Sequence, residues 1–288
     1  MAIVGGGPAG LEAAATAAER GAEVTLLEAD DRLGGMFASA SRFPVKAEYA
    51  RLLSYYNERL LDEDASVLLN TPVERLEPLL DEYDAVIVAT GSRWEPTPWH
   101  DRAADQEQRY GGPLFRGGWD ELVDRDFAGE RVVLVQRELG DHLALTIAHH
   151  LLSVGAELHI VSSFGSATAG LDASFEHFAN KLLAEHKTRV YTPASILPTE
   201  GDTVRLHHWH LREQIEIVNV AAVISSGRRR ANLPADAVAL FDAGRPLWMA
   251  GDCVSPRGVA QAIREGHRAA VQALQPLQAG SGVERGVR

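Results

Sequence analysis

Three glycines at Gly5-x-Gly7-x-x-Gly10, with an acid, Glu28, beyond an alanine-rich stretch, are residues that could hold a dinucleotide. Each glycine has its own task. Gly5 permits a tight turn, Gly7 lets backbone N–H groups approach a pyrophosphate, and Gly10 lets a helix pack closely on a strand. Pro8 and Ala9 lie where that helix must begin, and unpaired N–H groups together with the helix dipole favour an anion there. Glu28 stands roughly 20 residues beyond the glycines, the separation of an acid that hydrogen-bonds a ribose hydroxyl. Its charge disfavours a 2′-phosphate. The stretch Arg32-Leu33-Gly34-Gly35-Met36 offers a second backbone approach to phosphate or ribitol. Asn70-Thr71-Pro72-Val73 closes a strand that begins near Val67, and the apolar run AVIVATGS breaks at Ala89-Thr90-Gly91. Near the other end, Leu247–Ala250 reads as a strand, Gly251-Asp252 as a turn, and Gly258 to Val271 as an amphipathic helix that includes Ala260. An aspartate at such a turn can accept hydrogen bonds from a flavin's ribityl chain, with the helix N-terminus pointing at the ring.

A second strand–turn–helix, VVLVQRELGDH at residues 132–142, has the same frame without the glycines. Gly140 alone remains in the turn. Glu138 and Asp141 put negative charge where a pyrophosphate would rest, so NADH and NADPH are not expected to bind. The strands and helix of this unit are expected to survive as packing scaffold, because loop glycines set phosphate access while strands set the core.

The elements that must carry these motifs follow from pattern. The sequence predicts βαβ at 2–28, a helix near Ala47–Leu61, and strands near 67–69 and 85–89. The Pro-, Gly- and Trp-rich segment 93–126 reads as linker and short helix. A second βαβ unit spans 131–161, a helix covers Phe175–His186, and strands lie around 189–191, 203–211 and 214–218. The expected class is α/β with two Rossmann-like domains, the second inserted into the first: residues 1–126 with 235–288, and 127–234.

Composition excludes several other chemistries. A net charge of −12 argues against nucleic acid, and the one basic run, Arg228-Arg229-Arg230, reads as a solvated loop. A single cysteine, Cys253, permits neither a disulfide pair nor a thiolate metal cage. A nearby helix N-terminus could lower its pKa, but a packed thiol is the simpler expectation. No run approaches a membrane span and no signal peptide precedes the first strand, so a cytoplasmic protein is expected. In LHHWHL, His208 and His210 would share one strand face, yet no third metal ligand stands near in sequence. His149 and His150 are expected on the polar flank of their helix. The tail LQAGSGVERGVR has the composition of a frayed end.

Taken together, GGGPAGLEAA, ATGS and AGDC resemble, in order, the flavin-domain signatures of the pyridine nucleotide–disulfide reductase superfamily. Within it, LEADDRLGG, ATGSRWEP and GDCVSPRGVAQAIREGHRAA are most similar to the C-terminal half of the trimethylamine dehydrogenase and 2,4-dienoyl-CoA reductase (Old Yellow Enzyme-like) family. That resemblance implies FAD, or ADP alone as in the amine dehydrogenases, at the first site. The amine dehydrogenases also lack the second glycine pattern and do not use NAD(P)H. It further implies partners: a barrel carrying FMN and a four-iron cluster, as subunit or domain, an electron-transfer partner, and an oligomeric assembly. This chain begins on the first strand and lacks the cluster's four cysteines, so a separated subunit, a fragment or a truncated reading frame is expected. The function so implied is a flavoprotein oxidoreductase or electron-transfer module in amine N-demethylating or enoate chemistry. The alternatives are an NAD(P)H-dependent flavin reductase and a non-catalytic ADP-bound structural subunit.

Overall fold

A computed structural model describes residues 1–95, 113–115, 118–198 and 201–281. Most of the segment 93–126 and the end of the tail therefore lie outside the described residues. Along the chain come β1 (Ala2–Val4), α1 (Pro8–Ala18), β2 (Thr25–Leu27), α2 (Gly35–Ser41), α3 (Tyr49–Asp62), β3 (Ser66–Leu68), α4 (Glu77–Glu82), β4 (Val86–Val88) and β5 (Ser92–Glu95). Then follow α5 (Trp119–Asp124), β6 (Arg131–Gln136), α6 (His142–Ser153), β7 (Glu157–Ser162), α7 (Ala173–Glu185), β8 (Arg189–Tyr191), β9 (Ala194–Ile196), β10 (Val204–His208), β11 (Glu213–Ile217) and β12 (Ala222–Ser225). The chain closes with β13 (Arg228–Ala231), α8 (Ala237–Asp242), β14 (Leu247–Met249) and α9 (Val259–Ser281).

Two compact units emerge: Met1–Arg42 with Ala47–Arg93 and Arg229–Arg288, and Phe43–Lys46 with Trp94–Arg228. In the first, a parallel sheet runs β14-β4-β1-β2-β3 with β1 at its centre. Ile3 pairs with Leu26 on one side and Ile87 on the other, and all three point to one face. Alternate residues Ala2, Val4, Val86 and Val88 fill the opposite face, as the two-residue period of a strand buried on both sides requires. Helix α1 is buried along nearly its whole length, which its alanines make possible because they present no bulk to the sheet or to α9. Gly21, at φ 83°, ends it: its N–H donates to Ala18 and that of Ala22 to Ala17.

The second unit pairs β12-β6-β7-β8 in parallel and carries a three-stranded antiparallel sheet, β11-β10-β9. Val132 and Leu134 face α6, whereas Val133 and Val135 face the antiparallel sheet through Ile196, Val204 and Leu206. Both units thus have the expected parallel α/β character. Sequence pattern missed the short helices α2, α4 and α8 and the strands β5, β9, β12 and β13. Strands as short as β9, at three residues, leave no period to read.

Three local expectations need correction. The strand expected over 203–211 stops at His208, because the chain turns through Arg212 at φ 54°. His210 therefore lies in the turn and does not share a strand face with His208, whose Nδ1 instead accepts the Leu211 N–H at 3.3 Å. His150 is not on a polar flank; it is 4% exposed, meets Phe43 edge-on with ring centroids 5.4 Å apart, and burial lowers its pKa below the ordinary 6.5. Among the described residues no cluster of metal-ligating side chains occurs, and no helix is long and apolar enough to cross a membrane.

Candidate functional site

At the carboxyl ends of β1, β2, β4 and β14 the first unit gathers most of the sequence motifs. Gly5 turns at φ 103°, and a Cβ there would lie 2.4 Å from the Ala89 carbonyl oxygen. A Cβ on Gly10 would fall 1.8 Å from the Gly5 oxygen, so glycine is required where α1 meets the strand turn. Gly7 differs: its φ is −75°, nothing stands within 4 Å of a Cβ built on it, and it precedes α1 without any side-chain cap. The first turn of α1, with Pro8 and Ala9, is a helix N-terminus lined by glycine backbone. The Gly34 N–H donates to the Gly6 carbonyl at 2.8 Å, which lays the Gly34-Gly35 turn against this loop.

Glu28 follows β2 directly and is buried at 7% exposure. One carboxylate oxygen accepts the Gly6 N–H at 2.6 Å and the other the Asp30 N–H at 2.9 Å. A carboxylate retains further lone pairs beyond these two bonds. Beside it opens a cleft of about 510 Å³ lined in part by Asp31, Arg32, Leu33 and Leu69. On the other flank, Gly251 turns at φ 77° and its N–H donates to Glu265 at 3.0 Å. The neighbouring Asp252 accepts from Ser92 Oγ at 3.2 Å, from Arg257 N at 2.9 Å and from Arg229 Nη1 at 2.7 Å. Ser92 Oγ also approaches Met36 Sδ at 3.7 Å, so Met36 and Asp252, expected separately from two parts of the chain, are linked here through Ser92.

Not every expected residue joins this group in the same way. Thr90 donates its hydroxyl to the Asn232 carbonyl, and Gly91 accepts the Asn232 N–H at 3.0 Å, so both are committed to fixing the β4 exit. Val73 is half-buried against the lower sheet face, and Ala260 is exposed on the first turn of α9. Cys253 is buried at 1% exposure and burial pushes its thiol pKa up, so it is a packed residue and not an activated one. The Arg228–Arg230 run is also corrected: it lies in strand β13, and Arg229 is an ion-pair partner of Asp252. Sequence reading missed Arg229, Ser92 and Gly266. A glycine inside a long helix was the available signal for Gly266, whose Cβ would lie 2.1 Å from the Ala9 oxygen.

The loop after β6 contrasts at every point. Asp141 caps α6, its carboxylate accepting the Ala144 N–H at 2.8 Å, so the helix N-terminus already holds an anion of the chain itself. Gly140, at φ 65°, is clasped by the Ala169–Gly170 turn: its N–H donates to Ala169, and a Cβ on it would meet the Gly170 oxygen at 2.7 Å. Glu138, by contrast, is exposed. No side chain caps α1, whereas Asp141 caps α6.

Residues 1–79 match the family model described as FAD dependent oxidoreductase. The N,N-dimethylglycine/sarcosine dehydrogenase of Chromohalobacter salexigens is 26% identical over 92% of this chain and 42% of its own length. The structure of histamine dehydrogenase from Rhizobium sp. 4-9 superposes with a TM-score of 0.78 at 22% identity, covering 93% of this chain and 40% of that one. Thioredoxin reductase of Lactococcus lactis superposes at 0.69 and 16% identity over 95% of this chain and 97% of its own. The chain thus spans about two fifths of these two dehydrogenases and nearly all of the thioredoxin reductase. Residues 1–79 thus resemble the FAD dependent oxidoreductases, and over most of its length the chain shares the fold of the histamine dehydrogenase and thioredoxin reductase structures.

Proposed function

We propose that the first unit holds FAD, and that the chain is the cofactor-carrying module of an oxidoreductase acting on N-methylated amines. The carrying observation is the uncapped start of α1: Gly7 leaves room for a diphosphate, and Glu28 is fixed beside it. In this reading Gly5, Gly7, Pro8, Ala9 and Gly10 surround the diphosphate, and Glu28, Arg32 and Val73 serve the adenosine end. Gly35, Met36, Ala89, Thr90, Gly91, Gly251, Asp252 and Ala260 serve the polyol and ring. Bound flavin would supply the electron-carrying chemistry, and the chain's residues would orient it and exclude water. The amine class rests on the dimethylglycine/sarcosine relative. Substrate turnover would fall to a barrel partner, as subunit or domain, since among the described residues the first-unit site presents glycine backbone and structural carboxylates and no acid–base pair.

The visible spectrum of the purified chain, with its released nucleotide identified by chromatography, tests this. Flavin absorption in the blue with FAD released is the expected result. ADP released from a colourless protein would reduce the proposal to an ADP-bound module, and no nucleotide on the protein or taken up from solution would sink it.

The second unit is, in the same reading, a scaffold that binds no nicotinamide. A diphosphate there would have to displace Asp141 from α6 and oppose its charge. Calorimetric titration with NADH and with NADPH should give no saturable heat. Asp141→Ala should not restore it and should lower stability by about 1 kcal/mol through the lost cap. Micromolar binding of either nucleotide to the FAD-loaded wild type would show the reading of this unit to be wrong.

A further inference from the structure

Arg229 bridges two points of the loop that follows β14. Its Nη1 donates to Asp252 Oδ2 at 2.7 Å and its Nη2 to the Arg257 carbonyl at 2.7 Å. The Arg257 N–H in turn donates to Asp252 Oδ1 at 2.9 Å. A planar guanidinium with several donors can span a carboxylate and a carbonyl at once, which a lysine ammonium on its single point of charge does poorly. The pair is well shielded, with the side chains 30% and 18% exposed. Asp252 is therefore held from both oxygens. Among the described residues, Oδ2 takes Arg229 and Ser92, whereas Oδ1 takes only the Arg257 amide, so the acceptor capacity that remains sits on Oδ1.

We propose that Arg229 is a positioning residue of the cofactor site. It fixes Asp252 so that Oδ1 accepts a hydroxyl of the polyol arm that joins diphosphate to ring in FAD and is missing from ADP. This rests on reading the first unit as the nucleotide site. Arg229 touches the carboxylate and not the cofactor, and its contribution is preorganisation: the carboxylate pays no ordering cost when the polyol arrives. The consequence is selective. A change at Arg229 disturbs the ligand with a polyol and leaves the one without it.

Equilibrium binding of FAD and of ADP to the wild type, Arg229→Gln, Arg229→Lys, Asp252→Asn and the Asp252→Asn/Arg229→Gln double variant tests this. Arg229→Gln should weaken FAD by about tenfold or more, the range typical of outer-shell partners. Its ADP affinity should stay within about twofold of wild type, and Arg229→Lys should recover part of the FAD loss. In the Asp252→Asn background, Arg229→Gln should add less than about twofold, because the group it positions is gone. Wild-type FAD affinity in Arg229→Gln overturns the proposal. So does an equal loss of FAD and ADP, which would mark a general loosening of the fold. A wild type that binds ADP but not FAD overturns it while the nucleotide site stands. One that binds neither overturns the site reading itself.

Discussion

Gly7→Val should abolish nucleotide binding in a protein that unfolds close to the wild-type temperature. The two halves of this result have separate causes. Gly7 has an ordinary φ of −75°, and a Cβ there meets nothing within 4 Å, so the folded chain accepts a side chain. As the residue before α1 it contributes no side-chain cap, and replacing a glycine there costs the helix at most about 1 kcal/mol. The isopropyl group would stand in the open space over the first turn of α1, where a diphosphate must reach the backbone donors. Losing those charge-assisted contacts is worth about 3 kcal/mol or more, roughly a hundredfold or greater in Kd. Titration with FAD and ADP beside a thermal melt of the apoprotein checks both halves. Near-wild-type affinity in a folded Gly7→Val protein would move the diphosphate elsewhere.

Gly10→Ala and Gly266→Ala should do the opposite and damage the fold itself. A methyl on Gly10 falls 1.8 Å from the Gly5 carbonyl oxygen, and one on Gly266 falls 2.1 Å from that of Ala9. Both obstacles are backbone atoms, which no rotamer change relieves. Helix α1 would have to move off β1 in the first case and off α9 in the second. Glycine to alanine within a helix ordinarily gains about 1 kcal/mol. Here the overlap should reverse the sign and cost about 3 kcal/mol or more. Denaturant unfolding of each variant measures it. Stability equal to wild type in either would mean that α1 is not wedged as its contacts indicate.

Glycines at these positions show how far a sequence alone carries. The order strand, glycine turn, alanine-rich helix, strand and acid is local, and each step follows from spacing along one chain. It was therefore legible: β1, α1, β2, Glu28, and the ends of β4 and β14 all stand close to where pattern placed them. The degenerate turn after β6 was legible for the same reason, since a missing glycine is visible in one dimension. What Asp141 does was not, because capping depends on its φ and ψ as much as on its type.

Only the tertiary structure decided which side chains answer one another across long separations. Nothing in Arg228-Arg229-Arg230 distinguishes a solvated run from a strand whose middle residue pairs with Asp252. His150 looks like any helical histidine until its helix is rotated against the core that buries it. Glu12 sits among alanines, and only the folded chain brings it Tyr56 Oη at 2.9 Å and Arg59 at 3.0 Å, whose bonds hold its pKa below the usual carboxylate value. The period of a strand or helix says which face is apolar. The identity of the group facing a given side chain is fixed by how the elements pack, and that choice is made by the whole core at once.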